Sequence, residues 1–424
     1  MVKIRKAYEL GKFLGEQVLI RGWVSEIDES KRHMIIRDGT GYTRVVFDPD
    51  VYKGVPKVGR ESIVLIEGIV LNVKDKNPLL NASSLKPLKF SVDYPPQELS
   101  EPENRHLYIT NPKIIAINNI KNTVIKTIRE YFDEKGYREI PFPTAITKIA
   151  PENPLTRFDI RFHDHLAYLT QSTKPYLEVA MKMYEKVWTL AHTYRKEKII
   201  SRKHLSEFTT IDIQEAFSDS EYMMNLLEDM FCVSVNTVVE ENTQELETLE
   251  RDISKLRVKP PLRKIGYEKA RNIINRAYKT EKDKDLKMEW GRRFDSNEED
   301  MLTAHYPFPF FVYGFPETST PFYIKPDQEN PKLSRFFGLY AHIAGNIATG
   351  GEVIDDYETI RERMIELRFP HEFWSWYADL RRSGYPENST AGIGLERMLM
   401  YLTGSKNITD MVLFPRVYGQ SPVP

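Results

Sequence analysis

A single cysteine in 424 residues, Cys232, excludes an intrachain disulfide, and no Cys/His spacing of the kind that ligates zinc occurs. An excess of one charge is missing as well. With 60 Lys and Arg against 61 Asp and Glu the net charge is −1, which selects neither a polyanion nor a polycation as partner. Long apolar runs are also absent, since nothing approaches the roughly 18 residues that cross a bilayer. The basic start Met1-Val2-Lys3-Ile4-Arg5-Lys6 is not followed by an apolar stretch, so neither membrane insertion nor secretion is predicted and a cytoplasmic location is expected. Internal repeats and low-complexity segments are lacking. What is present, 41% hydrophobic and 29% charged residues, is the composition of a soluble globular protein, and the length predicts two domains of unequal size. Cys232, within Met230-Phe231-Cys232-Val233, reads as a buried structural thiol.

The first ninety residues differ from the whole, with sixteen Lys and Arg against eleven Asp and Glu, a balance suited to a polyanion. Short β-branched runs follow one another there: Val18-Leu19-Ile20-Arg21-Gly22-Trp23-Val24, Met34-Ile35-Ile36-Arg37, Thr43-Arg44-Val45-Val46-Phe47 and Ile63-Val64-Leu65-Ile66. Closely spaced strands with an Asp38-Gly39 turn predict a small all-β barrel over residues 1–92, and Gly22 and Gly68 inside strands suit its tight bends. Residues 93–111, with Pro95-Pro96 and Pro102, read as a linker. After Pro112 the apolar spacing turns helical through Ile115, Ile120, Val124, Ile128 and Phe132 and stops near Gly136, where Tyr137 to Pro143 reads as a strand closed by prolines. Residues 166–217 alternate strand and helix, residues 221–256 read as one long amphipathic helical stretch, and the charged segment 280–300 reads as an exposed excursion without evident function.

Two motifs far apart in the chain carry the chemistry. One is Tyr194-Arg195-Lys196-Glu197 with Lys203-His204-Leu205-Ser206-Glu207-Phe208-Thr209; the other is Ala391-Gly392-Ile393-Gly394-Leu395-Glu396-Arg397. They resemble motifs 2 and 3 of a class II aminoacyl-tRNA synthetase. Asn104-Arg105-His106-Leu107, Gln171-Ser172, Thr320-Pro321-Phe322-Tyr323 and Trp376-Tyr377-Ala378-Asp379-Leu380-Arg381-Arg382 stand in that family's order, and the chain resembles its asparaginyl/aspartyl subgroup over nearly its full length. Pro175-Tyr176-Leu177-Glu178 leans asparaginyl, since aspartyl enzymes commonly place a lysine where Leu177 stands. The resemblance implies an α+β architecture: an OB-fold barrel that grips the tRNA anticodon, then, over 112–424, an antiparallel sheet flanked by helices that binds ATP, an amino acid and the tRNA acceptor end and forms a homodimer.

By the same resemblance, Arg195 would meet the α-phosphate and the substrate carboxylate, a task suited to a fixed guanidinium. Arg397 would lie at the γ-phosphate side and cover one face of the adenine, with Phe208 on the other. Glu197 would contact the adenine side, while His204 and Glu207 would belong to the loop touching ATP and the acceptor end. Glu152, in the proline-stiffened loop Pro151-Glu152-Asn153-Pro154, and Gln171 would accept from the ammonium group of the amino acid, asparagine or aspartate.

Departures from the family pattern limit the implied activity. Its two magnesium-binding carboxylates fall on Gly338 and Asn346, neither of which offers an anionic oxygen, so weak magnesium dependence of ATP binding is expected. Glu352, Asp355 and Asp356 are the nearby acids that could substitute. The arginine that reads the substrate side chain is replaced by Val353, and Asn388, Ser389, Thr390 and Ala391 replace a histidine and small residues, which predicts a narrower acid site. In the barrel, His33 and Arg44 stand where the family stacks and hydrogen-bonds an anticodon base; both side chains can contact nucleic acid. Three functions fit: an asparaginyl- or aspartyl-type tRNA ligase, a paralogue adenylating another acid or serving another acceptor, and a non-catalytic tRNA-binding, protein-binding or regulatory relative.

Overall fold

Alternation of apolar and polar residues along Gln17–Asp28 (β1) buries Val18, Ile20 and Val24 on one side, and four further strands repeat the pattern: His33–Asp38 (β2), Gly41–Phe47 (β3), Ile63–Lys74 (β4) and Asn77–Lys89 (β5). The computed structural model describes residues 3–28, 30–52, 58–74, 77–92, 104–147, 156–278 and 287–420, and it divides into two units, Met1–Glu101 and Pro102–Pro424. In the first unit the strand order β1-β2-β3-β5-β4 is closed by antiparallel pairing of β4 with β1, making the five-stranded barrel that the sequence predicts. Val45, Val64, Ile66, Val70 and Leu80 fill it, capped by Leu10. A Cβ on Gly68 would come within 2.3 Å of the Asn81 carbonyl oxygen, at a break in the β4–β5 register, so only glycine permits the two strands to approach there.

The second unit begins with Pro112–Glu134 (α1). Asn111 caps it by accepting from the Lys113 N–H at 2.9 Å, Pro112 occupies its first turn, and Gly136 at φ +79° follows its end. Its inner face carries Ile117, Ile120, Val124, Ile128 and Phe132, and the Phe132 ring stacks on Trp188 at 4.9 Å. Arg138–Glu139 (β6), Lys186–Tyr194 (β7), Glu207–Ala216 (β8), Arg263–Gly266 (β9), Phe310–Tyr313 (β10), Phe336–Ala341 (β11), Gly345–Glu352 (β12) and Asn388–Gly394 (β13) form one sheet ordered β9-β10-β11-β12-β13-β8-β7-β6, antiparallel except at its two outermost pairs.

Helices pack on this sheet. Lys174–Tyr184 (α2) precedes β7, Ser220–Glu241 (α3) follows β8, Ser296–His305 (α4) lies between β9 and β10, and Leu395–Thr403 (α5) continues directly from β13. The helical stretch expected over 221–256 is interrupted: α3 ends at Asn242, and a short helix, Thr243–Thr248, follows. Cys232, on α3, is buried, and that burial pushes its thiol up to about 12, so it is an inert core group. Among the described residues no helix is long and apolar enough to cross a membrane.

Candidate functional site

Strands β7, β8, β11, β12 and β13 share a cavity of about 410 Å³, to which α4 contributes Glu299 and α5 both Glu396 and Arg397. Arg195 stands one residue beyond β7. Its N–H donates to the Ser206 carbonyl at 2.9 Å, and its guanidinium carbon lies 5.5 Å from the centre of the Phe208 ring. Arg397 enters from the first turn of α5. The preceding Glu396 is buried and accepts from the Thr209 N–H at 3.0 Å, which clamps the helix to β8 beside Phe208 and sets where the next side chain goes. Arg397 donates to the Ala344 carbonyl at 2.6 Å and stands 3.8 Å from Glu299; burial pulls its guanidinium below the ordinary value, and Glu299 opposes that shift. The two arginines, about 200 residues apart in sequence, and Phe208 thus line one cavity.

Glu197 and His204 line it too. Burial, and then the nearby Arg397, push the His204 imidazole below its ordinary value, so it is neutral at pH 7; its Nδ1 lies 2.6 Å from the Ser201 hydroxyl. Glu207 is placed differently. It accepts from the Tyr194 hydroxyl at 3.3 Å and lines a separate surface depression with Lys196 and Arg416, because the strand alternates and Phe208 takes the inward position.

At the other end the cavity is lined by Gln171, Ser172, Lys174, Thr193 and Asp212. Gln171 donates to the Thr156 hydroxyl at 2.9 Å, and the buried Asp212 accepts from Thr173 at 2.6 Å and Thr210 at 3.1 Å. Glu152 lies outside the described residues. Lys174 and Asp212 were not singled out from sequence, although Gln171-Ser172-Thr173-Lys174 leads straight into a helix and so had to sit at its first turn. The substituted residues Asn388, Ser389, Thr390 and Ala391 do not line the cavity and so do not narrow it. They are buried in β13, where Asn388 accepts from Gln214 at 2.5 Å and Thr390 donates to the Ile213 carbonyl at 2.8 Å. Val353 is fully buried in an apolar cluster with Tyr323, Ile324, Phe336 and Tyr377. Arg381 does not take over its role, since it is bound to the buried Glu178 at 2.8 Å.

A magnesium site of the family's kind does not fit this chain. A Cβ on Gly338 would lie 2.8 Å from both the Asn346 amide nitrogen and the Tyr340 ring, so the place where a carboxylate would project is already filled. The three acids offered as substitutes are committed elsewhere. Glu352 is buried between Arg335 and Lys325, Asp355 pairs with Lys325 at 3.1 Å, and Asp356 caps a helix by accepting from the Thr359 N–H at 2.8 Å. Among the described residues no group of three His, Cys, Asp or Glu is placed to hold a metal. Instead α4, from the segment expected to be a functionless excursion, delivers Glu299, and Arg293 lines the cavity just before it. Burial raises the Glu299 carboxyl above its ordinary value, against Arg397 and the Asn346 N–H, which donates to it at 3.2 Å. In the barrel, His33 and Arg44 lie on the adjacent strands β2 and β3, where the pairs His33–Val46 and Ile35–Arg44 place them diagonally on the outward face.

Comparison with known proteins identifies the family and the fold. The family model for class II tRNA synthetases (D, K and N) matches residues 97–418. A protein of Pelotomaculum thermopropionicum named asparagine–tRNA ligase is 32% identical over 96% of this chain and 97% of its own length. One of the same name from Thermococcus gammatolerans is 32% identical over 95% of each. The crystal structure of asparaginyl-tRNA synthetase from Pyrococcus horikoshii complexed with asparaginyl-adenylate superposes with a TM-score of 0.91 at 30% identity, covering 100% of both chains.

Proposed function

The chain belongs to the class II tRNA synthetases of the D, K and N group, and from that premise we propose that it is an ATP-dependent aminoacyl-tRNA ligase of the asparaginyl/aspartyl type, acting in the cytoplasm as a homodimer. The observation that carries this reading is the convergence of Arg195, Arg397 and Phe208 on one cavity. Adenine is held between the Arg397 guanidinium and the Phe208 ring, with Glu197 at its edge. A carboxylate oxygen of the amino acid attacks the α-phosphorus, the bond to pyrophosphate breaks, and an acyl-adenylate forms. Arg195 holds the two anionic reactants together and offsets the charge that builds on the phosphoryl oxygens as they react. The terminal adenosine hydroxyl of tRNA then attacks the acyl carbon, releasing AMP. Gln171 is the acceptor for the amino acid's ammonium group, and His33 and Arg44 are the barrel's contacts to tRNA. Total tRNA incubated with labelled asparagine or aspartate is expected to be charged with one of them; charging with neither would refute the assignment.

Val353 supports a second reading, in which the same cavity adenylates a different acid. A valine buried among aromatic residues leaves nothing there to pair with a side-chain carboxylate or amide. ATP–pyrophosphate exchange across all amino acids separates the two, since exchange confined to asparagine or aspartate would exclude this alternative.

A further inference from the structure

Between Ile253 and Ala277 the chain carries eight Lys or Arg against one acid, Glu268, in a protein whose net charge is −1. Like charges gathered on a short stretch repel one another unless counter-charges meet them. Three of the eight are met within the protein: Lys255 pairs with Asp252 at 3.2 Å, Arg271 pairs with Glu268 at 2.9 Å, and Lys264 donates to the Asn225 side-chain oxygen at 2.8 Å. The other five, Arg257, Lys259, Arg263, Lys269 and Arg276, are exposed and have no carboxylate partner among the described residues.

These five share one surface. Arg257, Lys259 and Arg263 line a depression of about 360 Å³ between the segment leading into β9 and the start of β10. The helix Tyr267–Ala277 buries Ala270 and Ile274 and presents Lys269, Asn272 and Arg276, three and four residues apart, as one exposed stripe. Together with the end of α4 that stripe encloses a second depression, of about 850 Å³. Arg263 and Tyr306 belong to both, with the guanidinium carbon 5.2 Å from the centre of the ring, so the two depressions make one continuous groove. No described Asp or Glu lines it. The acids of α4 are engaged elsewhere, Glu298 on Arg292, Asp300 on Lys203 and Glu299 in the cavity. Ring faces stand among the cations: Tyr306, and Phe308, which is 51% exposed.

Cations spread along a groove suit an extended polyanion, whereas a small anion needs donors that converge on one point. Phosphates spaced along a chain meet the cations, and unpaired bases can stack on the rings, so the matching ligand is a nucleic acid. The groove also lies close to the chemistry, since Glu299 on α4 faces the cavity and His305, about 9 Å further along the same helix axis, lines the groove. We propose that the groove from Arg257 to Arg276 binds the phosphate backbone of tRNA. This rests on the tRNA-dependent half of the ligase reading above and names a surface of the second unit that holds that tRNA.

The test is the salt dependence of tRNA binding to the full-length protein, read by fluorescence anisotropy of a labelled total-tRNA pool. Lys269→Gln with Arg276→Gln, and separately Arg257→Gln with Lys259→Gln, should each weaken binding about tenfold or more. Each pair should also flatten the slope of log affinity against log salt by about 1.5 to 2, the counterion release of two phosphate contacts, with ATP–pyrophosphate exchange unchanged. Lys255→Gln with Lys264→Gln removes the same charge from the same stretch outside the groove and should leave the slope at its wild-type value. Equal flattening in that control would show a diffuse charge effect and overturn the assignment. Wild-type slopes in both groove variants would overturn it too, and would leave the surface to an acidic protein; if those variants also charge tRNA normally, the ligase reading survives. If the wild type charges neither asparagine nor aspartate yet the groove variants flatten the slope as expected, the ligase reading falls and the groove stands. The two pairs lie on different elements, so misfolding of one leaves the other to decide.

Discussion

At the scale of single residues, the site is set by which charges are buried beside which others. His204 and Glu299 both face Arg397, and their pKa values move in opposite directions, each chiefly because of burial. For His204 the folded value lies below the ordinary 6.5, so its neutral form contributes stability that is fully present above 6.5 and is lost as the pH falls into the window beneath it. For Glu299 the folded value lies above the ordinary 4.5, so the folded state holds its proton more tightly and ionisation costs stability as the pH rises from 4.5 through the raised value. Urea titrations between about pH 4 and 8 should therefore show the acid-side loss flattened in His204→Asn. The same titrations should show the wild type losing ground to Glu299→Gln as the pH rises. Parallel curves for all three proteins would remove this electrostatic account. Arg195, Phe208 and Arg397 were legible in the sequence because their neighbours stand in a recognisable order. Glu299 and Arg293 were not, since their segment reads as a generic charged surface and only the tertiary placement of α4 turns one face of it inward. The loss at Gly338 and Asn346 was legible, as was Tyr340 between them, but Arg293 and Glu299, which line the same cavity, come from another stretch of chain.

At the scale of elements, helix starts decide where functional side chains arrive. The Asp295 carboxylate accepts from the N–H groups of Asn297 and Glu298 at 2.9 Å, and the Glu298 carboxylate accepts from the Asp295 N–H at the same distance. This reciprocal cap fixes the first turn of α4 and with it the direction of Glu299. Asp295→Ala should cost about 1 kcal/mol of stability in denaturant titration and weaken nucleotide binding, because Glu299 would lose its anchorage; unchanged nucleotide affinity would show that α4 does not organise the site. The Asp295-x-x-Glu298 signature was present in the sequence and could have given the phase of this helix. By contrast, the break at Asn242 was missed because apolar periodicity continues across it, although Asn242 with Glu245 three residues on is itself a helix-start signal. The inward expectation for residues 388–391 failed for a related reason. Residues 388–391 and the cavity-lining Gly392, Ile393 and Gly394 share one strand that pairs with β8 along its whole length, so strand pattern alone does not tell which end opens on the cavity.

At the scale of the whole molecule, the described residues form two units, a barrel and a sheet with its helices. The barrel was legible from strand spacing and turn residues, and the eight-stranded sheet only through the resemblance, because its strands are short, scattered over some 250 residues and paired out of sequence order. If the barrel's outward face contacts tRNA, His33→Ala with Arg44→Ala should lower kcat/KM for tRNA by about tenfold or more, as loss of stacking and phosphate contacts implies, and leave pyrophosphate exchange unaltered. Equal loss in both assays would place those residues in folding instead. Adenylation in this cavity requires the two guanidinium groups to act on one bound nucleotide, and ATP–pyrophosphate exchange with the cognate amino acid measures that directly. Arg195→Ala and Arg397→Ala are each expected to lose about 2 to 4 kcal/mol of transition-state stabilisation, with folding intact. Exchange at the wild-type rate in both variants would contradict it.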